Sequence, residues 1–188
     1  KFSFDRQARD LWAGEVGQDL WESVYKIEKG GNYGWSVMEG SHPFRPERKK
    51  GPTPILKPIL EHPHSDYRSL TGGYVYRGCA IPQFRGHYIY SRYGNNQIWS
   101  FTYNGTVQNL TNRTTELGNL TSVCSFGEDA AGELYICQLT GNVVRKLVPV
   151  TPQSVGVVSY GAGTPGCNGS TVLSLGCSPT IFNPGETI

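Results

Sequence analysis

The chain has 188 residues and a formal net charge of +2, and its 17 Lys and Arg residues are scattered along it. This distribution offers no basic stripe for nucleic acid, and no apolar run approaches the roughly 20 residues of a membrane-spanning helix. The 24 Gly, 12 Pro and 11 Tyr residues favour many short strands joined by tight turns over a helical bundle.

A pattern of two strands joined by a turn recurs three times along the chain. The copies lie at about 2–14, 84–101 and 126–147, and each has a central aromatic or apolar residue in its second strand. Tyr88 and Leu134 occupy matching positions 46 residues apart, close to the roughly 40 to 50 residues of a propeller blade. The first interval is longer because of a Pro-rich, charged stretch at about 41–66, which we predict to be an insertion in a blade loop.

These repeats predict an all-β fold in which residues 1–148 form about three blades of a β-propeller. Propellers close with four to eight blades, because each blade buries both faces against its neighbours. Three blades alone would leave two apolar faces in water, so we expect further blades before Lys1 or from a partner chain. Residues 149–188 are rich in Ser, Gly, Thr and Pro, which predicts a linker and the start of a small β-rich or flexible tail.

The cysteines fall into two groups. Cys167 and Cys177 lie ten residues apart in the tail, a separation that suits a small disulfide loop. Cys79, Cys124 and Cys137 fall in strand-like segments, so we predict that they are buried apolar side chains.

Five asparagines lie in Asn-x-Ser/Thr sequons: Asn104, Asn109, Asn112, Asn119 and Asn168. In a eukaryotic source they predict a glycosylated loop of a secreted protein. In a bacterial source they indicate only a Thr- and Asn-rich surface turn. Both interpretations fit an exported protein.

The first group of residues with chemical potential lies at 14–22 and 29–35. Its glycines let backbone carbonyls turn outward at a strand end, and Glu15, Asp19 and Glu22 add carboxylate oxygens nearby. Calcium favours this mixture of hard oxygen ligands. The alternative is a pair of ordinary turns that flank a strand.

The second group lies at 61–68, where prolines predict a loop. Two imidazoles, His62 and His64, occur with Ser65, Asp66 and Arg68 within eight residues. Such a set suits a metal, an anion or a polar substrate, and loops at blade ends are where propellers carry their function. The alternative is a solvated loop.

Several motifs in fixed order resemble one family of proteins. They lie at 10–12, 17–22, 29–35, 71–78 and 125–129. They are similar to motifs of the soluble aldose (glucose/sorbosone-type) dehydrogenases that use pyrroloquinoline quinone (PQQ), and of their Hedgehog-interacting-protein-like relatives. The resemblance covers residues 1 to about 148.

The resemblance implies the C-terminal part of a six-bladed propeller in an exported enzyme that oxidises an aldose C1 hydroxyl to the lactone. It implies PQQ on the propeller axis over a calcium ion bound by the carbonyls of Gly17 and Gln18. It implies a second, structural calcium near Glu22 and Tyr33, and a loop at 62–68 that covers quinone and sugar.

The resemblance also has departures. The catalytic His and an Arg-Asn pair that binds the quinone belong to blades expected before Lys1. The family's quinone-binding Lys falls at about Gly94, and two of its arginines fall at about Ser122 and Cys124. Since a tricarboxylated quinone needs cationic partners, Arg68 and Arg92 are the candidates to replace them. These gaps favour an alternative, a secreted propeller that binds a protein or glycan without redox chemistry.

Overall fold

A computed structural model of the chain describes residues 1–66, 68–94, 96–118, 120–151, 154–161, 171–175 and 178–182. Its strands, in chain order, are β1 (Phe2–Phe4), β2 (Leu11–Glu15), β3 (Trp21–Ile27), β4 (Met38–Glu39), β5 (His42–Pro43), β6 (Leu60–Pro63), β7 (Leu70–Val75), β8 (Tyr88–Arg92), β9 (Ile98–Tyr103), β10 (Val107–Asn112), β11 (Val123–Glu128), β12 (Leu134–Gln138), β13 (Val143–Thr151), β14 (Ser154–Gly161), β15 (Thr171–Leu175) and β16 (Ser178–Phe182). A 3₁₀ helix spans Pro82–Phe84, and the short helix α1 spans Thr114–Leu117. No helix in these described ranges is long and apolar enough to span a bilayer.

Three four-stranded antiparallel sheets form the predicted blades. Blade 1 has the order β1-β2-β3-β6, blade 2 has β7-β8-β9-β10, and blade 3 has β11-β12-β13-β14. The all-β fold and the partial propeller are therefore confirmed. The boundary expected at residue 148 falls inside β13, which continues to Thr151 and pairs with β14.

The antiparallel order places the connections between strands at two ends of the blades. What we call the upper end carries the connections β2–β3, β6–β7, β8–β9, β10–β11 and β12–β13. The lower end carries β1–β2, β7–β8, β9–β10 and β11–β12. The residues predicted in the β2–β3 and β6–β7 connections therefore lie at the upper end.

Blade 2 is held between two apolar cores because its strands alternate between two faces. Tyr88, Tyr90 and Phe101 face blade 1, where they pack with Trp12. The residues that face blade 3 include Ile89 and Ile98, and they pack with Val123, Phe126, Leu134 and Ile136. Both cores combine residues of two blades, so a blade depends on its neighbours for much of its apolar burial.

The outer faces of blades 1 and 3 have no neighbouring blade in the described part of the chain. On β1, Phe2 and Phe4 are 70% and 58% exposed, while Ser3 between them is buried against blade 2. On blade 3, Val144 is 39% exposed, and Leu139 just beyond β12 is 57% exposed. Exposed apolar residues on both faces indicate that further blades are needed to complete the propeller.

Three sequence expectations differ from the structure. The stretch at 41–66, expected to be an insertion, contains β6, the fourth strand of blade 1. His62 therefore lies in a strand and not in a loop. Pro63 is compatible with this because β6 is an edge strand, where a missing N–H breaks no hydrogen bond of the sheet.

The three cysteines expected to be buried are only partly buried. Cys79 lies in a bend, and Cys124 and Cys137 lie on the open face of blade 3.

A buried carboxylate joins blades 2 and 3 at the lower end. Glu133 is fully buried and accepts hydrogen bonds from the Tyr76 hydroxyl at 2.6 Å and from the backbone N–H groups of Cys79 and Ala80 at 2.9 and 3.0 Å. All three donors belong to the β7–β8 connection of blade 2, so one side chain fixes that connection to blade 3.

We predict that Glu133→Ala in the full-length protein lowers the free energy of unfolding by about 3 kcal/mol or more, because it leaves three donors without their acceptor. Glu116→Ala is the control, since the Glu116 side chain is 37% exposed in its ion pair with Arg113 and the loss of such a pair costs about 1 kcal/mol or less. Urea unfolding followed by tryptophan fluorescence measures both changes. Equal effects of the two variants would contradict this role of Glu133.

Candidate functional site

The two groups singled out in the sequence meet at the upper end. The amide of His64 donates to the carbonyl of Leu20 at 2.7 Å, which joins the β6–β7 connection to the β2–β3 connection. The amide of Tyr93 donates to the carbonyl of Ser69 at 2.9 Å, and Arg92 donates to the carbonyl of Asp66. Three connections of blades 1 and 2 thus form one continuous surface, which we call the candidate site.

Glu22 lies beneath this surface and fixes its position. Its side chain is fully buried in β3, and Oε2 accepts the amide of Leu70, the first residue of β7, at 2.5 Å. Oε1 pairs with the imidazole Nε2 of His64. A buried carboxylate is stable only with such partners. The strand β3, the imidazole of His64 and the start of blade 2 are therefore held together.

His62 lies opposite Glu22 in the register of β3 and β6. Its Nε2 is 2.8 Å from the hydroxyl of Tyr90, a fully buried residue of blade 2. Burial lowers the pKa of His62 to about 4; the charge of Asp66 opposes this shift and that of Arg92 adds to it. His62 is therefore a neutral imidazole at pH 7, a form that can donate one hydrogen bond and accept another.

The β2–β3 connection is shaped by Glu39 from the inserted β4–β5 hairpin. Glu39 Oε1 accepts the amides of Asp19, Leu20 and Trp21 at 2.7, 3.1 and 3.4 Å. Gly17 begins this turn at a point where a Cβ atom would lie 1.7 Å from the carbonyl oxygen of Trp21. Only glycine fits there without a shift of the backbone.

A cavity of about 170 Å³ beside this turn is lined by Glu15, Gly17, Gln18, Trp35 and Glu39, among others. Burial raises the pKa of Glu15, the hydrogen bond from Tyr25 lowers it, and the nearby charges of Glu22 and Glu39 raise it further. Carboxylate oxygens of this kind are among the hard ligands that calcium favours. The described residues hold no group of three His, Cys, Asp or Glu side chains suited to a metal, so such an ion would depend on carbonyl oxygens.

The residues of the second predicted calcium site have different partners. The carboxylate of Glu22 is engaged by His64 and Leu70, as described above. The ring of Tyr33 packs edge-on against Tyr25, and its hydroxyl accepts the amide of Glu28 at 2.6 Å. The hydrogen bonds of the two side chains therefore do not join them, and this second site stays a prediction.

The remaining predicted residues of the covering loop also lie at the upper end. Ser65 donates to the carboxylate of Asp66 at 3.0 Å, and Arg68 is exposed. In blade 3, Ser122 lies at the same end, where its amide donates to the Asn96 side chain at 3.2 Å. A neutral hydroxyl thus occupies a position where the resembled family carries a cation.

Three of the predicted glycosylation sites lie among the described residues. Asn104 is exposed in the turn between β9 and β10, and Asn109 and Asn112 are exposed on β10, the edge strand of blade 2. Exposure of this kind permits glycosylation. The other residues predicted to be modified lie outside the described residues: Asn119, Asn168, Cys167 and Cys177.

Sequence reasoning missed Glu39 and Tyr90. Glu39 stands alone between Met38 and Gly40, and its partners lie about 20 residues earlier in the chain. Tyr90 has the alternating pattern of a core strand, which gives no sign of its contact with His62. The only available signal was an isolated acidic residue beside a glycine, which is too common to identify a site.

The family profile described as Glucose / Sorbosone dehydrogenase matches residues 2–145 of the chain. The chain belongs to the glucose/sorbosone dehydrogenase family. The resemblance inferred from the ordered motifs is thereby confirmed, and the match covers blades 1 and 2 together with β11, β12 and the start of β13 in blade 3.

Proteins to which the chain is similar include plant and bacterial proteins. The chain is 34% identical over 165 residues to the HIPL1 protein of Arabidopsis thaliana, an alignment that covers 71% of the chain and 24% of HIPL1. It is 34% identical over 110 residues to the HIPL2 protein of the same plant, which covers 52% of the chain and 16% of HIPL2. The chain therefore spans a quarter or less of the curated relatives that it matches.

Solved structures share the fold at low sequence identity. The PQQ-bound aldose sugar dehydrogenase of Streptomyces coelicolor aligns with a TM-score of 0.54 at 17% identity, over 84% of this chain and 41% of that chain. The apo form of the soluble aldose sugar dehydrogenase of Escherichia coli aligns with a TM-score of 0.53 at 17% identity, over 84% and 43%. The chain thus corresponds to less than half of each of these folds.

We predict that Gly17→Ala in the full-length protein lowers the free energy of unfolding by about 1–3 kcal/mol, because the new methyl group overlaps the carbonyl of Trp21. Gly51→Ala is the control, since Gly51 is exposed and a Cβ atom there approaches only the flexible side chain of Asn32, at 3.2 Å. Thermal unfolding compares the two variants. A Gly51→Ala effect as large as that of Gly17→Ala would show that the turn at Gly17 is not closely packed.

Proposed function

We propose that this chain is the C-terminal part of an exported, calcium- and PQQ-dependent sugar dehydrogenase that oxidises the C1 hydroxyl of an aldose to the lactone. One observation carries the proposal: in a member of the glucose/sorbosone dehydrogenase family, the turn at Gly17 and the loop that follows β6 meet at one end of the blades. In this proposal, the strands from β1 to β14 supply C-terminal blades of the propeller.

Gly17 and Gln18 would hold the calcium ion through their backbone carbonyls, with the carboxylate of Glu15 nearby to offset its charge. Glu39 supports this role indirectly, since it fixes the amides of the same turn and so determines where the carbonyls point. Its contribution is to keep the site preorganised before the ion arrives.

The β6–β7 connection would form one wall of the sugar and quinone pocket. His62, held neutral by burial, and His64, held by Glu22, offer hydrogen-bonding groups for sugar hydroxyls. Arg68 and Arg92 offer positive charge to the carboxylates of PQQ. When bound, the quinone would accept the hydride released from the sugar C1 carbon. The base that removes the hydroxyl proton is a His expected in the blades outside this chain.

A second function, a secreted propeller that binds a protein or glycan without redox chemistry, is favoured by a specific feature. Gly94, Ser122 and Cys124 stand at about the positions where the resembled dehydrogenases carry a Lys and two Arg residues. A binding protein has no need of those cations.

The two functions are separated by assaying the full-length protein for dye-linked oxidation of aldoses with PQQ and calcium added together or singly. We predict activity only when both are present. Arg68→Gln should weaken PQQ binding about tenfold, which equals the loss of about 1.4 kcal/mol. Arg48→Gln is the control, because Arg48 lies in the insertion and bonds to Ser36.

An absorbance titration of PQQ in the presence of calcium measures that affinity independently of turnover. Failure to bind PQQ, together with no oxidation of any aldose tested, would exclude the dehydrogenase and support the binding protein. Equal PQQ affinities of the Arg68 and Arg48 variants would show that Arg68 does not bind the quinone. The proposal of a dehydrogenase would stand if PQQ still binds.

A further inference from the structure

Two cysteines of blade 3 lie opposite each other on neighbouring strands. Cys124 belongs to β11 and Cys137 to β12, 13 positions later in the chain. In the register of these strands, Val123 pairs with Gln138. Ser125 pairs with Cys137, which leaves Cys124 as the extra residue of a β-bulge. Two residues of a bulged strand oppose one residue of the partner strand, so Cys124 also lies opposite Cys137.

Both cysteine side chains lie on the face of blade 3 that points away from blade 2. On β12, Ile136 is buried in the core that blades 2 and 3 share, and the next residue, Cys137, is partly exposed on the other face. On β11, Val123 and Phe126 belong to the same core. Cys124 lies between them and is partly exposed. The bulge therefore places both thiols on one face.

The thiol of Cys124 is directed at Cys137. Its Sγ lies 3.4 Å from the carbonyl oxygen of Cys137, to which the thiol donates a hydrogen bond. Burial raises the pKa of the Cys137 thiol, the neighbouring thiol of Cys124 raises it further, and the charge of Lys1 lowers it. The electrostatic effect of Cys124 agrees with the geometry, since such effects are strong only at short range.

The backbone geometry of the two strands suits a disulfide bond. Residues opposite each other in an antiparallel pair have Cα atoms about 4.5–5.5 Å apart, and disulfides join Cα atoms about 4.4–6.8 Å apart. Rotation of the two side chains is therefore enough to close the bond. Cys79, the only other cysteine among the described residues, lies at the lower end, where its amide donates to Glu133.

We propose that Cys124 and Cys137 form a disulfide bond that fixes the bulge of β11 to β12. The oxidant is a small disulfide such as oxidised glutathione. One cysteine thiolate attacks this disulfide and releases a first glutathione, and the second cysteine thiolate attacks the resulting mixed disulfide and releases another. The protein loses two thiol protons and two electrons, and the small disulfide gains both as two thiols. The proposal does not depend on the dehydrogenase function.

Peptide mapping of the full-length protein tests the pairing. The protein is reduced and unfolded in urea, refolded in a glutathione buffer, and alkylated without further reduction. One tryptic peptide, residues 114–145, contains both cysteines, and a protease specific for glutamate divides it after Glu128 and Glu133. We expect the fragments that contain Cys124 and Cys137 to stay joined until a reductant is added. Cys79 should be joined to neither.

Urea unfolding with and without reductant measures the consequence of the bond. Closing a loop of this length shifts the unfolding equilibrium by about 100-fold, so reduction should raise the equilibrium constant for unfolding by that factor. The effect of reductant should be smaller by about the same factor in Cys124→Ser and unchanged in Cys79→Ser.

Three results would overturn the proposal. The first is that the refolded protein gives separate alkylated fragments for Cys124 and Cys137. The second is that either cysteine is joined to a different one. The third is that Cys124→Ser keeps the full effect of reductant on unfolding.

Discussion

The buried carboxylate of Glu22 is the interaction on which the upper end depends. An isolated charge in a protein interior is strongly destabilising, so Glu22 must keep its partners for the fold to form. Those partners are the imidazole of His64 and the amide of Leu70. The same contacts that satisfy the charge therefore also fix the loop after β6 and the first residue of blade 2. Stability and the position of the candidate site have one physical cause.

Contacts between neighbouring blades likewise determine the stability of the whole fold. Each sheet has two apolar faces, and only blade 2 has both covered in the described structure. Glu22 at the upper end and Glu133 at the lower end add buried polar contacts to the two interfaces. The exposed Phe2 and Phe4 on blade 1 show where the same packing would continue. The fold of the family and the exposed faces of blades 1 and 3 have the same explanation, because each blade needs a neighbouring blade on both sides to bury its apolar residues.

Much of the fold could be predicted from the sequence, because period-two alternation and glycine turns are local signals. Tyr88 to Tyr90 and Leu134 to Ile136 reveal their strands directly. Long-range contacts could not be predicted in this way. His64 and Glu22 are 42 residues apart, and nothing local connects them. His62 was assigned to a loop because of Pro63, since the sequence does not reveal that β6 is an edge strand.

Amide hydrogen exchange of Leu70 in the full-length protein and in its Glu22→Ala variant tests the central claim most directly. The account predicts that loss of the carboxylate accelerates exchange at Leu70 and in the loop after β6 by about tenfold or more, because a buried hydrogen bond to a charged group is lost. Exchange in β12 should change much less. An unchanged Leu70 amide, or equal acceleration throughout the blades, would contradict the claim that Glu22 holds the upper end together.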